Sequence, residues 1–390
     1  MTRPEATEAD LLLLREGNPP RSLPLLRYLE VPAGGWAEFL RREYLAGFIA
    51  QGGTKLKLLI GTQGSGKSHL LALAAGLARE EGFAAAGLDA FGTRLFPIDR
   101  FYGAAVRGIG LAGLIDACAR RSIVDLGFEP EQLPARVPFL TSAVREGLGA
   151  EATLRRSLSE RVDVLLREPT LDPTFAMGAA QAVGHRLGVF HLNPMEQDAL
   201  TRWFTGEKVT LGELRTLQIY ERPDRYNGRD YLRSLASLGR LAGYRGLVVC
   251  VDNMETVAHR SPGSGRQRYT RAQRDEAYET IRQLIDDVDH SASTLYLLAG
   301  RREFMEDEKA GISSYEALRL RLLQEVRSPR FNPFGDVVDL NAMRATGYLS
   351  AEAVSEWVHR LREYANGQEP AAPPAPHLSL RDLVLAVSAA

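Results

Sequence analysis

Residues 61–68 read Gly61-Thr62-Gln63-Gly64-Ser65-Gly66-Lys67-Ser68, a full match to the spacing G-x-x-x-x-G-K-[ST]. Each part of that pattern serves a polyphosphate. The glycines let the backbone wrap so that successive N–H groups point inward at phosphate oxygens. A helix beginning near Lys67 adds the positive end of its dipole. Lys67 supplies a point charge for the β- and γ-phosphates, and the Ser68 hydroxyl is placed to ligate Mg²⁺. His69 follows directly and reads as a polar residue at the helix start, within the same nucleotide-contacting run. The guanine-reading pattern N-K-x-D is absent. The expected ligands are therefore ATP and Mg²⁺.

A second chemical constellation lies about 185 residues downstream, where a β-branched run, Gly246–Asp252, ends on an acid. In P-loop ATPases such an Asp holds Mg²⁺, so Asp252 joins Ser68 as an expected metal ligand. A Glu that polarises the attacking water normally follows directly, but this chain has Asn253. An amide can orient a water and cannot take its proton. Glu255, two positions on, is the nearest other carboxylate and the alternative base. The apolar run 294–299 ends in Ala299-Gly300-Arg301-Arg302, where a polar γ-phosphate sensor would stand. Both departures point toward slow or absent hydrolysis. Arg319 and Arg321 sit on an expected helix, from which Arg321 could reach the γ-phosphate of a neighbouring subunit. The stretch 259–274 carries five arginines and no acid, a basic loop able to touch nucleic-acid backbone.

The elements that must position these groups follow from periodicity. Lys55–Ile60 is a short apolar run before the glycine loop and reads as a buried strand; residues 69–81 follow with helical spacing. Phe83–Leu88 is a second, alanine-rich strand, Gly246–Asp252 the third, 294–299 the fourth and 336–340 a last short one. The roughly 150 residues between the second and third strands are too many for one loop and read as helical, with helices over 150–166 and 229–241. The pattern predicts an α/β fold: a P-loop NTPase with a parallel sheet, helices on both faces and a large helical insertion. The expected divisions are an N-terminal segment (1–50), an ATPase core (51–340) enclosing the insertion (92–245), and a short helical C-terminal region (341–390) with a Pro-rich linker.

Composition narrows the class. The 390 residues are 45% hydrophobic and 25% charged, which excludes disorder for the bulk of the chain. A net charge of −1 argues against a globally basic nucleic-acid binder. Two cysteines, Cys118 and Cys250, exclude a disulfide scaffold or a Cys-rich zinc module. No apolar run reaches the length of a membrane span and no secretory leader is evident, so a cytoplasmic location away from membranes is expected.

Five segments in order, LREGNPPRSLPLL (14–26), GTQGSGKSHL (61–70), ALTRWFTGEKVTLGELRTL (199–217), YRGLVVCVDNMETV (244–257) and RFNPFGDVVDL (330–340), resemble the P-loop ATP-binding proteins of bacterial BREX phage-defence systems, the BrxC/BrxD-type family. The resemblance covers about residues 10–345. It implies an AAA-like ATPase, similar in layout to origin-recognition ATPases, that works beside a methyltransferase and other defence proteins on DNA. It further implies Asp-Glu where Asp252-Asn253 stands, and Thr-Gly where Ala299-Gly300 stands. Those departures bear on catalysis rather than on nucleotide binding. The expectation is an oligomer or defence-system subunit that couples ATP binding, with slow hydrolysis, to DNA or partner binding. The alternatives are a hydrolysis-deficient nucleotide switch and a scaffold subunit of the same fold.

Overall fold

The computed structural model describes residues 3–30, 36–258, 269–323, 332–343 and 351–364. The expected short helix over 378–387 and most of the basic loop, 259–268, lie outside the described residues.

Five strands form one sheet: β1 (Thr54–Ile60), β2 (Ala84–Asp89), β3 (Leu247–Asp252), β4 (Thr294–Gly300) and β5 (Val337–Asp339). The order is β2-β3-β4-β1-β5, and every pairing is parallel. Parallel strands covered on both faces must be apolar at nearly every position, which is why the runs are continuous rather than alternating. Successive side chains divide between two cores. Leu58, Val249, Val251, Tyr296 and Leu298 enter one. Leu59, Val248, Cys250, Leu295 and Leu297 enter the other.

Three short helices precede the sheet: α1 (Glu8–Arg15), α2 (Leu23–Tyr28) and α3 (Trp36–Phe39), the last continuing as wider π-helical turns over Leu40–Ile49. The phosphate loop leads into α4 (Lys67–Glu80), whose apolar side packs on the second core with Trp36 and Leu40. Between β2 and β3 run α5 (Ile98–Ile109), α6 (Leu111–Val124), α7 (Phe139–Arg145), α8 (Glu151–Arg167), α9 (Pro173–Leu187), α10 (Pro194–Phe204), α11 (Leu211–Arg215) and α12 (Gly228–Leu241). After β3 come α13 (Glu255–Ala258) and α14 (Arg271–Asp286). After β4 come α15 (Arg302–Glu306) and α16 (Glu316–Leu323). After β5 come α17 (Leu340–Met343) and α18 (Ala351–Arg362).

The insertion shares its core with one sheet face instead of standing apart. A single apolar cluster runs from Leu58 and Val249 through Phe101 to Phe175 and Trp203. Inside it, Phe175 meets Tyr102, Phe204 and Tyr231 edge-on at 5.5–6.4 Å, a geometry that aromatic quadrupoles favour. The Trp203 indole N–H donates to the Glu221 carbonyl at 2.8 Å, so its burial leaves no orphan donor. Cys118 and Cys250 are buried in apolar surroundings, and burial pushes both thiols up to about 12. Among the described residues, no single helix is long and apolar enough to cross a membrane.

The apolar rule has a charged exception on β1. Lys57 is fully buried on β1. Its Nζ donates to the carbonyls of Pro333 (3.2 Å), Phe334 (3.2 Å) and Gly335 (2.6 Å) and lies 4.4 Å from the centre of the Tyr44 ring. A buried ammonium is tolerable only when its donors are satisfied, and here the partners are the turn that leads into β5.

Candidate functional site

The phosphate loop joins the end of β1 to the start of α4. Gly64 (φ 74°) and Gly66 (φ 91°) both occupy the left-handed region, where a side chain would strain the backbone. Gly66 caps α4 without any side-chain hydrogen bond to the helix's first N–H groups. A helix start with no capping side chain is a ready anion site. The Lys67 ammonium is drawn back over the loop, donating to the carbonyls of Gly61 (3.0 Å) and Thr62 (2.8 Å) and lying 3.4 Å from Ser65 Oγ. Burial lowers its pKa, opposed by the charges of Glu255 and Asp252.

The sheet edge supplies the acids. The Ser68 hydroxyl lies close enough to the Asp252 carboxyl to lower its pKa, so the two residues expected to share a metal are neighbours. Burial raises the Asp252 pKa, while the Ser68 hydroxyl and the Asn253 amide act against it. Asn253 has φ 59°. Its backbone N–H donates to Asp252 Oδ1, and its side-chain amide donates to Asp89 Oδ1 at the end of β2, each at 2.8 Å. Its amide N–H is therefore spent bracing two strand ends.

Glu255 opens α13 and is held twice by Arg301. Its Oε1 lies 3.1 Å from Arg301 Nε, and its Oε2 accepts from the Arg301 backbone N–H at 3.2 Å. The carboxylate is 15% exposed. The arginine after β4, where a polar γ-phosphate sensor would stand, thus grips the alternative base. Arg302 pairs instead with Asp339 at the end of β5. One further clip was invisible in the sequence. Asn341 accepts from the Thr62 backbone N–H at 2.8 Å and donates to the Thr62 hydroxyl at 3.0 Å, tying the loop to the segment after β5.

One cleft of about 850 Å³ collects these groups. It is lined by the loop from Gln63 to Ser68, by Asp252, Asn253 and Glu255, and by Asp89 and Arg301. Its remaining wall is largely apolar, built from α1, α2, Trp36 and α18. His69 also borders it, with its ring turned to the α2 side: Nε2 lies 2.9 Å from the Leu26 carbonyl, so that nitrogen carries a proton. Burial lowers its pKa to about 4. Arg321 is not brought to the cleft. It lies on α16 in an ion pair with Asp286. Of the basic stretch, the described portion begins at Tyr269, which is buried and sits under the Arg94 guanidinium at 5.6 Å. Arg274 is likewise buried, on α14. A buried arginine offers nothing to a phosphate backbone, so the surface available there is smaller than five arginines imply. No group of three or more His, Cys, Asp or Glu suited to a metal occurs among the described residues. A magnesium ion here would depend on one carboxylate, one hydroxyl and phosphate oxygens, the donor set this hard cation takes at nucleotide sites.

Comparison with known proteins agrees with this geometry. The family model described as BREX system ATP-binding protein BrxC/D matches residues 26–388. No curated protein and no solved structure gives a significant match.

Proposed function

The chain belongs to the family of BREX system ATP-binding proteins BrxC/D, and from that premise we propose that it is an AAA-like nucleotide switch. ATP binding between the phosphate loop and the apolar wall drives the switch, and hydrolysis is slow. The observation that carries this reading is the convergence in one cleft of an uncapped helix start, Lys67 and the Ser68–Asp252 pair. The loop N–H groups and Lys67 would hold the triphosphate. Ser68 and Asp252 would hold Mg²⁺, which neutralises phosphate charge when bound. The strand order supports the AAA-like layout, because β4 separates the phosphate-loop strand from the strand ending in Asp252.

Slow turnover is favoured over fast by two contacts. Asn253 carries no carboxylate and is bonded to Asp89, and Glu255 is neutralised by Arg301. On this reading the protein works as a timer whose ATP-bound form meets other proteins of the BREX system. Self-assembly, with Arg321 reaching a neighbour's nucleotide, and a DNA contact through 259–274 belong to the same proposal. Isothermal calorimetry with Mg²⁺ and ATP tests its foundation. The wild type should bind, and Lys67→Ala should bind at least ~10-fold more weakly, the worth of one charge-assisted hydrogen bond. No heat from ATP with the wild type would sink the proposal.

A further inference from the structure

The apolar half of the cleft contains a carboxyl that no other described residue uses. Glu30 follows α2 and lines the cleft together with Leu26, Leu29, Trp36 and Trp357. It is half-buried, and among the described residues its side chain makes no hydrogen bond or ion pair. Its neighbours are committed elsewhere. Arg27, on the same helix, is paired with Glu80, and Glu38, on α3, is paired with Arg41. Burial raises Glu30 to about 7, with Arg27 opposing the shift and Glu38 adding to it. The indole N–H of Trp36, a residue of the same wall, is also buried without a partner among the described residues. Unsatisfied polar groups in an apolar wall cost stability. Two of them beside tryptophan and leucine surfaces describe a receptor for a flat heterocycle with a hydrogen-bonding edge.

We propose that Glu30 reads the base of the nucleotide, its carboxyl oxygen accepting a hydrogen bond from the exocyclic amine of adenine. The inference rests on the phosphate loop holding the triphosphate as argued above. It adds the residue that decides which base enters. The chemistry does not need a charged Glu30. Either form of the carboxyl can accept from the amine.

The test compares ATP with purine riboside 5′-triphosphate, which lacks only the amine, by calorimetry with Mg²⁺ at pH 7. The proteins are the wild type, Glu30→Gln and Glu30→Leu. The wild type should prefer ATP about tenfold, the size of one to two neutral hydrogen bonds. Glu30→Gln, which keeps an acceptor, should retain the preference. Glu30→Leu should lose it while binding the amine-free ligand as the wild type does. Leucine removes an unpaired carboxyl from an apolar wall, so a melting temperature at or above that of the wild type will show that the variant is folded. Equal wild-type affinity for the two ligands overturns the proposal, as does a Leu variant that keeps the preference or weakens both ligands alike. If neither ligand binds the wild type, the failure lies with the nucleotide site itself.

Discussion

At Asn253 the backbone lies in the left-handed region, and the side chain bridges to Asp89. Asparagine tolerates that conformation better than most residues, because a short polar side chain can bond locally. Supplying the missing glutamate here is therefore not a simple repair. Asn253→Glu places a carboxylate against Asp89 in a conformation that costs a long side chain about 1–2 kcal/mol. It is expected to lower stability by that order, read by chemical denaturation, without raising ATP turnover; a higher turnover would show that residue 253 itself limits the chemistry. The productive change should be at Arg301. Arg301→Ala releases Glu255 from its ion pair and leaves the carboxylate free to accept a proton. A steady-state ATPase assay should show at least a ~10-fold gain, within the range that a positioned base contributes, and adding Glu255→Gln should cancel it. The phosphate loop was legible in the sequence because its chemistry lies in one local octapeptide. The Glu255–Arg301 clamp was not, because it joins residues 46 apart in the chain. Glu30 was invisible for a further reason: no sequence shows that a carboxyl finds no partner among the described residues.

At the scale of elements, hydrophobic patterning located all five strands to within one or two residues, because parallel strands buried on both faces leave an uninterrupted apolar run. The alanine-rich β2 was the hardest to justify from propensity. Its composition answers to packing: a Cβ added at Gly108 on α5 would lie only 2.8 Å from the Ala86 side chain, so small residues on both elements let helix and strand approach closely. His69 shows an element contact that patterning could not reveal. Read from sequence as a nucleotide-contacting residue, its ring fastens α4 to the carbonyl end of α2. Its folded pKa, about 4, lies below the ordinary 6.5. Between those values the unfolded chain takes up a proton that the folded chain refuses. This contribution to stability is thus complete above pH 6.5 and is lost as pH falls toward 4. By pH 5 the loss should be about 1–2 kcal/mol. His69→Gln keeps a donor for Leu26 and cannot titrate. Urea denaturation at pH 7 and pH 5 should show a smaller acid loss for the variant by that amount. Equal losses would place the ring in solvent.

For the whole molecule, the decisive feature is that distant parts of the chain meet beside the nucleotide cleft. Leu14, Leu25, Tyr28 and Leu29 from α1, α2 and the residue after α2 pack with Trp357, Val358 and Leu361 of α18 in a cluster separate from both sheet cores. Three hydrogen bonds of 2.7 Å join the same regions: Trp357 Nε1 to the Leu29 carbonyl, the Tyr28 hydroxyl to Glu363, and the Tyr364 hydroxyl to the Pro4 carbonyl. The N-terminal segment and the C-terminal region, far apart along the chain, together form one wall of the site. A small independent cluster can open without unfolding the sheet, since local stability follows local burial. A ligand that touches both the sheet edge and this wall favours the closed arrangement by its extra contacts with it. Trp357→Ala removes the largest member of the cluster, a loss of about 3–5 kcal/mol where such a side chain is fully packed. That loss should fall on the wall and not on the sheet. Hydrogen exchange is expected to speed up over residues 8–29 and 355–364 and stay unchanged in β1, β3 and β4, while ATP affinity drops at least ~10-fold. In the wild type, ATP should slow exchange in those same two segments. Faster exchange across the sheet in Trp357→Ala would mean that the wall and the sheet fold as one unit, and ATP would then have no separate element to close.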